Sequence, residues 1–327
     1  MISVLMSVYN GEEFLNEAID SILNQTYEDF EFIILDDGSS DNSLDIIKSY
    51  EDNRIRIHSS SINMGLVYQL NRGLALSKGK YIARMDADDI SLPERFERQV
   101  AFLDNNPKIG VLGTSFQILD ENDFLQPLVK LPTHNNFIKW HLCFRNCFAH
   151  PTMMMKRDVI VKAGGYDKEM QYAEDYDLWR RLSVITNLSN LDEVLVLYRI
   201  HKTNVSLIHI QMMHQKTIQI KSMMISEILK ADISSEYIQR IDNKEFRSVE
   251  DVEFSTNLYC RLYQAFKLKN DLTRCEKYNI KKDLSLRLIS LIRPWLGSYT
   301  TWSILGYAFL LNPLVIFRLI RFKWRFN

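Results

Sequence analysis

The chain has 327 residues, 46% of them hydrophobic and 25% charged, with a formal net charge of −1. That balance suits a globular protein of one or two domains and excludes both a disordered chain and a globally basic nucleic-acid binder. The four cysteines (Cys143, Cys147, Cys260, Cys275) follow neither zinc nor disulfide spacing, which points to a reducing compartment.

The opening MISVLMSVYN has no basic, long-apolar leader and reads as a strand that starts almost at once, so action in the cytoplasm is expected. EEFLNEAIDSILNQ then places Phe14, Leu15, Ala18, Ile19, Ile22 and Leu23 on one helical face. Asn10 and Glu13 have the spacing of a reciprocal cap for that helix. FEFIILDD reads as a second strand, SLDIIKSY as a short helix and RIRIH as a third strand. GLVYQLNRGLALS is a helix for which Gly79 is the expected closing residue. KYIARMD is a fourth strand and PERFERQVAFLDN a helix, with Ser91, Pro93 and Glu94 forming a capping box. IGVLGTSFQIL, PTMMMK and EVLVLYRIH read as later strands, and YAEDYDLWRRLSV as a helix between the last two.

Strand–helix alternation with near-continuous apolar strands predicts an α/β fold: a mainly parallel sheet with helices on both faces, over residues 1–205. Residues 206–283 read as a helical extension without strand alternation. From Leu284 onward there is no Asp or Glu, but there are six Lys or Arg and three of the five tryptophans. The uncharged stretch Pro294–Phe317 is interrupted by Asn312 and Pro313. Residues 284–327 are therefore expected to lie on an anionic membrane surface, with a membrane span and a helical pack on the catalytic domain or a partner as the alternatives.

Polar exceptions gather where the apolar strands end: Ser7, Tyr9 and Asn10 after the first, Asp36 and Asp37 after the second, Asp86, Asp88 and Asp89 after the fourth. All are carboxyl ends, the edge where open parallel sheets bind ligands. Local readings compete. DDGSSD is good turn chemistry, but a turn needs only one of its first two aspartates. The capping box already starts the helix after DADD, so its three aspartates are surplus to the cap; a solvated acidic loop is the alternative. Asp86 and Asp88, alternate carboxylates leaving a strand, suit one hard cation, Mg²⁺ or Mn²⁺. Neither a G-x-G-x-x-G turn nor a P-loop is present, so a diphosphate would be held largely by metal.

Three stretches, SVLMSVYNGEEFLNEAIDSILNQTYEDFEFIILDDGSSDNS, GKYIARMDADDISLPERFERQ and AEDYDLWRRL, resemble in this order the family 2 glycosyltransferases of the GT-A fold. The resemblance covers about residues 1–205 and implies an inverting enzyme that uses a nucleotide-sugar donor. It implies that Ser7, Tyr9 and Asn10 line the nucleotide pocket, that Asp37 takes the uracil N–H and that Asp36 supports its loop. Asp88 would be the direct metal ligand, with Asp86 beside it near the donor ribose or sugar. Asp89 falls where the family varies. Asp175 would be the general base. Read alone, Glu174 and Asp175 are acids suited to a helix dipole. Glu174, Trp179 and His150 are the candidates for the acceptor side. A basic, aromatic tail on such an enzyme suggests a lipid-linked glycan acceptor of capsule or O-antigen type, met at the cytoplasmic membrane face. Two other readings stand beside this one: an aspartate-nucleophile phosphohydrolase built on MDADDI, and a membrane-bound nucleotide-sugar binder without turnover.

Overall fold

The computed structural model describes residues 1–120, 122, 124–202, 204–292, 304–306, 308, 310 and 311. Contacts divide the chain into two compact units, Met1–Thr217 and a second beginning at Ile218.

The first unit is built on one sheet. Its strands are β1 (Ile2–Val8), β2 (Phe30–Asp36), β3 (Ile55–Ser59), β4 (Tyr81–Met85), β5 (Ile90–Ser91), β6 (Ile109–Leu119), β7 (Leu125–Val129), β8 (Met154–Lys156) and β9 (Asn187–Arg199). They are ordered β3-β2-β1-β4-β8-β6-β9-β5, with β7 added to β6. The long ladders β3-β2, β2-β1, β1-β4 and β6-β9 are parallel, and β8 is a short antiparallel strand between β4 and β6. Two reversals cancel across β8, so β6 and β9 run in the direction of β4. The carboxyl ends of β1, β2, β4 and β9 therefore share one edge. β1 and β2 are buried along almost their whole length, which is why their sequences are apolar on both faces.

The helices of this unit are α1 (Leu15–Leu23), α2 (Ser43–Ser49), α3 (Leu66–Leu76), α4 (Arg95–Asn105), α5 (Asn135–Leu142), α6 (Arg157–Lys162), α7 (Glu174–Ser183) and α8 (Val205–Ile208); α9 (Ile210–Leu229) continues beyond it. α1 buries Leu15, Ala18, Ile19 and Ile22, the face expected from its periodicity. α4 buries two polar residues, Arg95 and Gln99, for a structural reason. Arg95 Nη2 donates to the Arg84 carbonyl at 2.8 Å, and Gln99 Nε2 to the Thr152 carbonyl at 2.8 Å. These side chains satisfy backbone oxygens around β4 and β8. Burial, with Arg84 nearby, brings Arg95 down to about 9.

Three local expectations are corrected. Asn10 does not cap α1, which starts at Leu15 after Phe14 with no side-chain cap. Asn10 instead has φ 50° and accepts from the Ser40 amide at 2.8 Å, tying the end of β1 to the loop after β2. Ser91 does not cap α4 either. It lies in β5, and its Oγ accepts from Gln25 Nε2 at 3.0 Å. Gly79 does not close α3, which ends at an extended Ser77. A Cβ on Gly79 would come within 2.5 Å of the Ser3 amide nitrogen, so close passage beside β1 explains the glycine.

In the second unit the regular elements are helices: the rest of α9, α10 (Ser235–Asn243), α11 (Val249–Lys269) and α12 (Arg274–Ile292) among the described residues. Ser234 and Ser248 cap α10 and α11. Leu258, Leu262 and Phe266 of α11 and Ile280, Leu284 and Leu288 of α12 are buried. Most of the segment expected on a membrane lies outside the described residues. Among those described, no helix is long and apolar enough to cross a membrane.

Candidate active site

At the carboxyl end of β4, carboxylate oxygens of Asp86, Asp88 and Asp89 lie within 4.8 Å of one another. Each is held differently. Asp86 pairs with the buried guanidinium of Arg84. Asp88 Oδ2 lies 2.9 Å from His201 Nε2 and accepts from Asn204 Nδ2 at 3.2 Å. Asp89 Oδ1 accepts from the Arg199 amide at 2.8 Å, and its Oδ2 is buried without a partner. Burial and the neighbouring carboxylates Asp88 and Asp86 push Asp89 well above the usual carboxylate range. Burial also raises Asp86, against the opposing pull of Arg84. Crowded carboxyl oxygens with an imidazole beside them make a donor set that fits a divalent cation such as Mn²⁺ or Mg²⁺.

The residues closing this cluster come from the end of β9 and rest on α1. Arg199 lies over the Phe14 ring at 4.5 Å and donates to Glu17 Oε2 at 2.5 Å. His201 packs against the same ring, centroids 5.0 Å apart. His201 and Asn204 are site residues beyond those expected from sequence. Their signal is the one that marks β1, β2 and β4: polar residues just past a strand's carboxyl end, here in YRIHKTN.

The second acidic group starts α7. Asp175 Oδ2 accepts from Asn146 Nδ2 at 2.7 Å, and Oδ1 from the Tyr176 amide at 2.6 Å. Burial raises Asp175 above the usual range, partly offset by those two bonds. Glu174 is nearly covered, and burial with the Asp175 charge pushes it up to about 7. Asp86 contributes to the same rise, so this group and the cation cluster are electrostatic neighbours. Asp177, fully buried, belongs to the scaffold. It pairs with Arg180 and Arg181, and Arg181 in turn donates to the Ala163 and Gly165 carbonyls.

At the ends of β1 and β2, Tyr9 is exposed while Ser7 is half-buried. Asp36 accepts from the Ser39 amide at 3.2 Å, which supports the loop. Asp37 is turned inward and accepts from the Met64 and Gly65 amides, both at 2.8 Å. The expected acceptor residues divide. Trp179 is fully buried against Phe148, so it is core and presents no wall to a sugar. His150 is half-buried, with Nε2 2.8 Å from Tyr166 Oη; burial and the Arg84 charge hold it neutral. Glu174 sits within the acidic site, and the buried Trp179 adjoins it, its side chain acting on Asp175.

This α/β sheet, with acidic clusters at one carboxyl edge and a further acidic pair opening a neighbouring helix, has the GT-A class of fold. Residues 3–163 match the profile of glycosyl transferase family 2, and the chain belongs to that family. It is 43% identical over 210 residues to the O-antigen biosynthesis glycosyltransferase WbnJ of Escherichia coli, covering 62% of this chain and 80% of that protein. In fold it is similar to Staphylococcus aureus TarS residues 1–349 in complex with UDP-GlcNAc (TM-score 0.58, 18% identity, 96% of this chain and 91% of that one). It is also similar to the Pyrobaculum calidifontis mannosyltransferase PcManGT with GDP-Man and Mn²⁺ (TM-score 0.55, 16% identity, 95% and 86%).

Proposed function

We propose that this glycosyltransferase moves a sugar from a UDP-sugar to a hydroxyl of a glycan acceptor in surface polysaccharide assembly, inverting the anomeric centre. The observation that carries the reading is the pairing of a cation-sized carboxylate cluster with a separately held carboxylate, Asp175, close enough to act on it electrostatically. WbnJ, by its name, acts in O-antigen biosynthesis, and the TarS structure holds UDP-GlcNAc. These support the substrate class without fixing the sugar.

Asp86, Asp88 and His201 would hold a divalent cation, Mn²⁺ or Mg²⁺, with Asp89 bracing the loop from behind. Such a cation, when bound, neutralises charge that develops on the diphosphate leaving group. The protein's own residues do the remainder. Asp37, with Ser7, Tyr9, Asn10 and Asp36 around it, seats the nucleotide. Asp175 accepts the acceptor hydroxyl proton as the new C–O bond forms and the bond to the diphosphate breaks, an effect typically worth about 10²–10⁴-fold. Asn146 orients that carboxylate. Glu174 lies beside it for the acceptor.

The domain reading that goes with this function is a catalytic unit over 1–205, a helical extension over 206–283 and a membrane-surface tail over 284–327. That tail would bring the enzyme to a lipid-linked acceptor. Family membership displaces the phosphohydrolase reading, and the intact set Asp37, Asp88 and Asp175 argues against a binder without turnover. The deciding experiment incubates the full chain with UDP- and GDP-sugars and lipid-linked glycan acceptors, with Mn²⁺ or chelator, and follows release of nucleoside diphosphate. Metal-dependent transfer from a UDP-sugar is expected. Transfer from no donor would overturn the proposal.

A further inference from the structure

The Asp37 carboxylate already accepts three hydrogen bonds from its own chain. The Met64 amide and Gln69 Nε2 donate to Oδ1 at 2.8 and 2.5 Å, and the Gly65 amide donates to Oδ2 at 2.8 Å. An ionised carboxylate has about four lone-pair sites, two on each oxygen. One site is left, on Oδ2.

The occupying donors are fixed in place. Gln69 is fully buried, and its Nε2 also donates to Ser60 Oγ at 2.9 Å. Its Oε1 is buried without a partner, and turning the amide over would set that oxygen against the carboxylate. The backbone amides come from a loop locked against Gly38, where a Cβ would meet the Ile62 carbonyl carbon at 2.7 Å.

We propose that this single remaining acceptor site makes Asp37 select a base with one N–H on its recognition edge, uracil over guanine. Gln69 sets the selectivity by filling the second site on Oδ1. The inference rests on the reading of Asp37 as the uracil-binding residue and adds the neighbour that makes it reject guanine. Guanine presents two adjacent donors, N1–H and the 2-amino group, which pair with a carboxylate only when both oxygens have a free site. Here the second donor would be desolvated without an acceptor, the situation in which a binding site discriminates most strongly. Cytosine would turn an unprotonated ring nitrogen toward the carboxylate. The fold itself leaves the choice open, since similar structures hold UDP-GlcNAc and GDP-Man. Ile62 and Met64, exposed on the same loop, offer apolar surface to any flat ring, so discrimination falls to the polar edge.

The test is calorimetric titration of the full chain at fixed Mn²⁺ with UDP, N3-methyl-UDP, GDP and inosine diphosphate. Hypoxanthine is guanine without the 2-amino donor, so these two purines isolate the lone-pair count from ring size. UDP is expected to bind tightest, and inosine diphosphate about tenfold or more tighter than GDP. Gln69→Met removes the competing donor at similar volume and should close most of the gap between the two purines. Equal binding of inosine diphosphate and GDP by the native chain overturns the account, as does an unchanged gap in a folded Gln69→Met variant. Equal binding of UDP and N3-methyl-UDP strikes instead at the reading of Asp37 as the base contact, so the two failures are distinguishable. If the variant does not fold, the native comparison of the four nucleotides decides alone.

Discussion

The loop after β4 and the start of α7 both crowd carboxyl groups into a few residues, and burial raises pKa values in both. They differ in their partners. The first is held by the Arg84 guanidinium and the His201 imidazole, brought in by β4 itself and the end of β9, with the neutral Arg199 amide beside them. The second is held by Asn146 and a backbone amide, which are neutral. Crowding at the first would be relieved by a cation. Crowding at the second is eased by a proton on Glu174 and by the more distant Arg84 charge. One residue type thus serves two chemistries, and the surrounding side chains decide which.

The largest expected effect breaks the second region. Asp175→Asn should lower the transfer rate by about 10²–10⁴-fold. Nucleotide affinity, measured by calorimetry, should stay near that of the native chain; near-native turnover would remove Asp175 from the base role. Next comes the first region. Asp88→Asn, or chelation of the native protein, should weaken UDP binding by about 10²-fold, in line with loss of a charge-assisted metal–diphosphate link. Restoration of affinity by excess Mn²⁺ in the native chain but not in the variant is the check.

His201→Ala tests whether the far strand belongs to the first region. It should raise the Mn²⁺ concentration needed for half-maximal activity by about 10- to 100-fold, with little change in melting temperature.

The last prediction sharpens the contrast through pH. Glu174 moves from 4.5 up to about 7 on folding, so the native state holds this proton more tightly than the unfolded chain. Its contribution to stability is then fully present below about pH 4.5 and is lost as pH rises through about 7. It amounts to on the order of 3 kcal/mol over that window. Glu174→Gln should flatten this part of the stability–pH curve, read by urea unfolding at several pH values. An unchanged slope would show that the proton resides elsewhere in the pair.

How much of this could be read from sequence follows from the range of the forces involved. β1, β2 and β4 are buried on both faces, so their apolar runs stand out, and acids just beyond them register as exceptions. β8 falls within PTMMMK, an apolar run already expected as a strand, whereas β5 spans two residues, too short for any periodic signal. The caps assigned to Asn10 and Ser91 have the right local spacing, yet distant partners claim both side chains, Ser40 for one and Gln25 for the other. Tertiary hydrogen bonds outcompete local ones there. The relevance of YRIHKTN emerges only once β9 is known to run parallel to β6, because that direction delivers His201 to the edge holding Asp88. Burial of Trp179 was equally hidden, since a tryptophan on an amphipathic helix suits a core and a sugar platform alike.

The contacts of Asp88 with His201 and Asn204 span 113 and 116 positions of chain. A chain emerging from the ribosome therefore completes most of the sheet before it owns the cation site. On the proposed function, a bound metal would favour conformations in which β9 is already docked, since ligands stabilise the states that bind them. Metal-assisted donor binding would then act as a late proofreading step on folding. A chain with the last strand misregistered forfeits both catalysis and the stabilisation its substrate would provide.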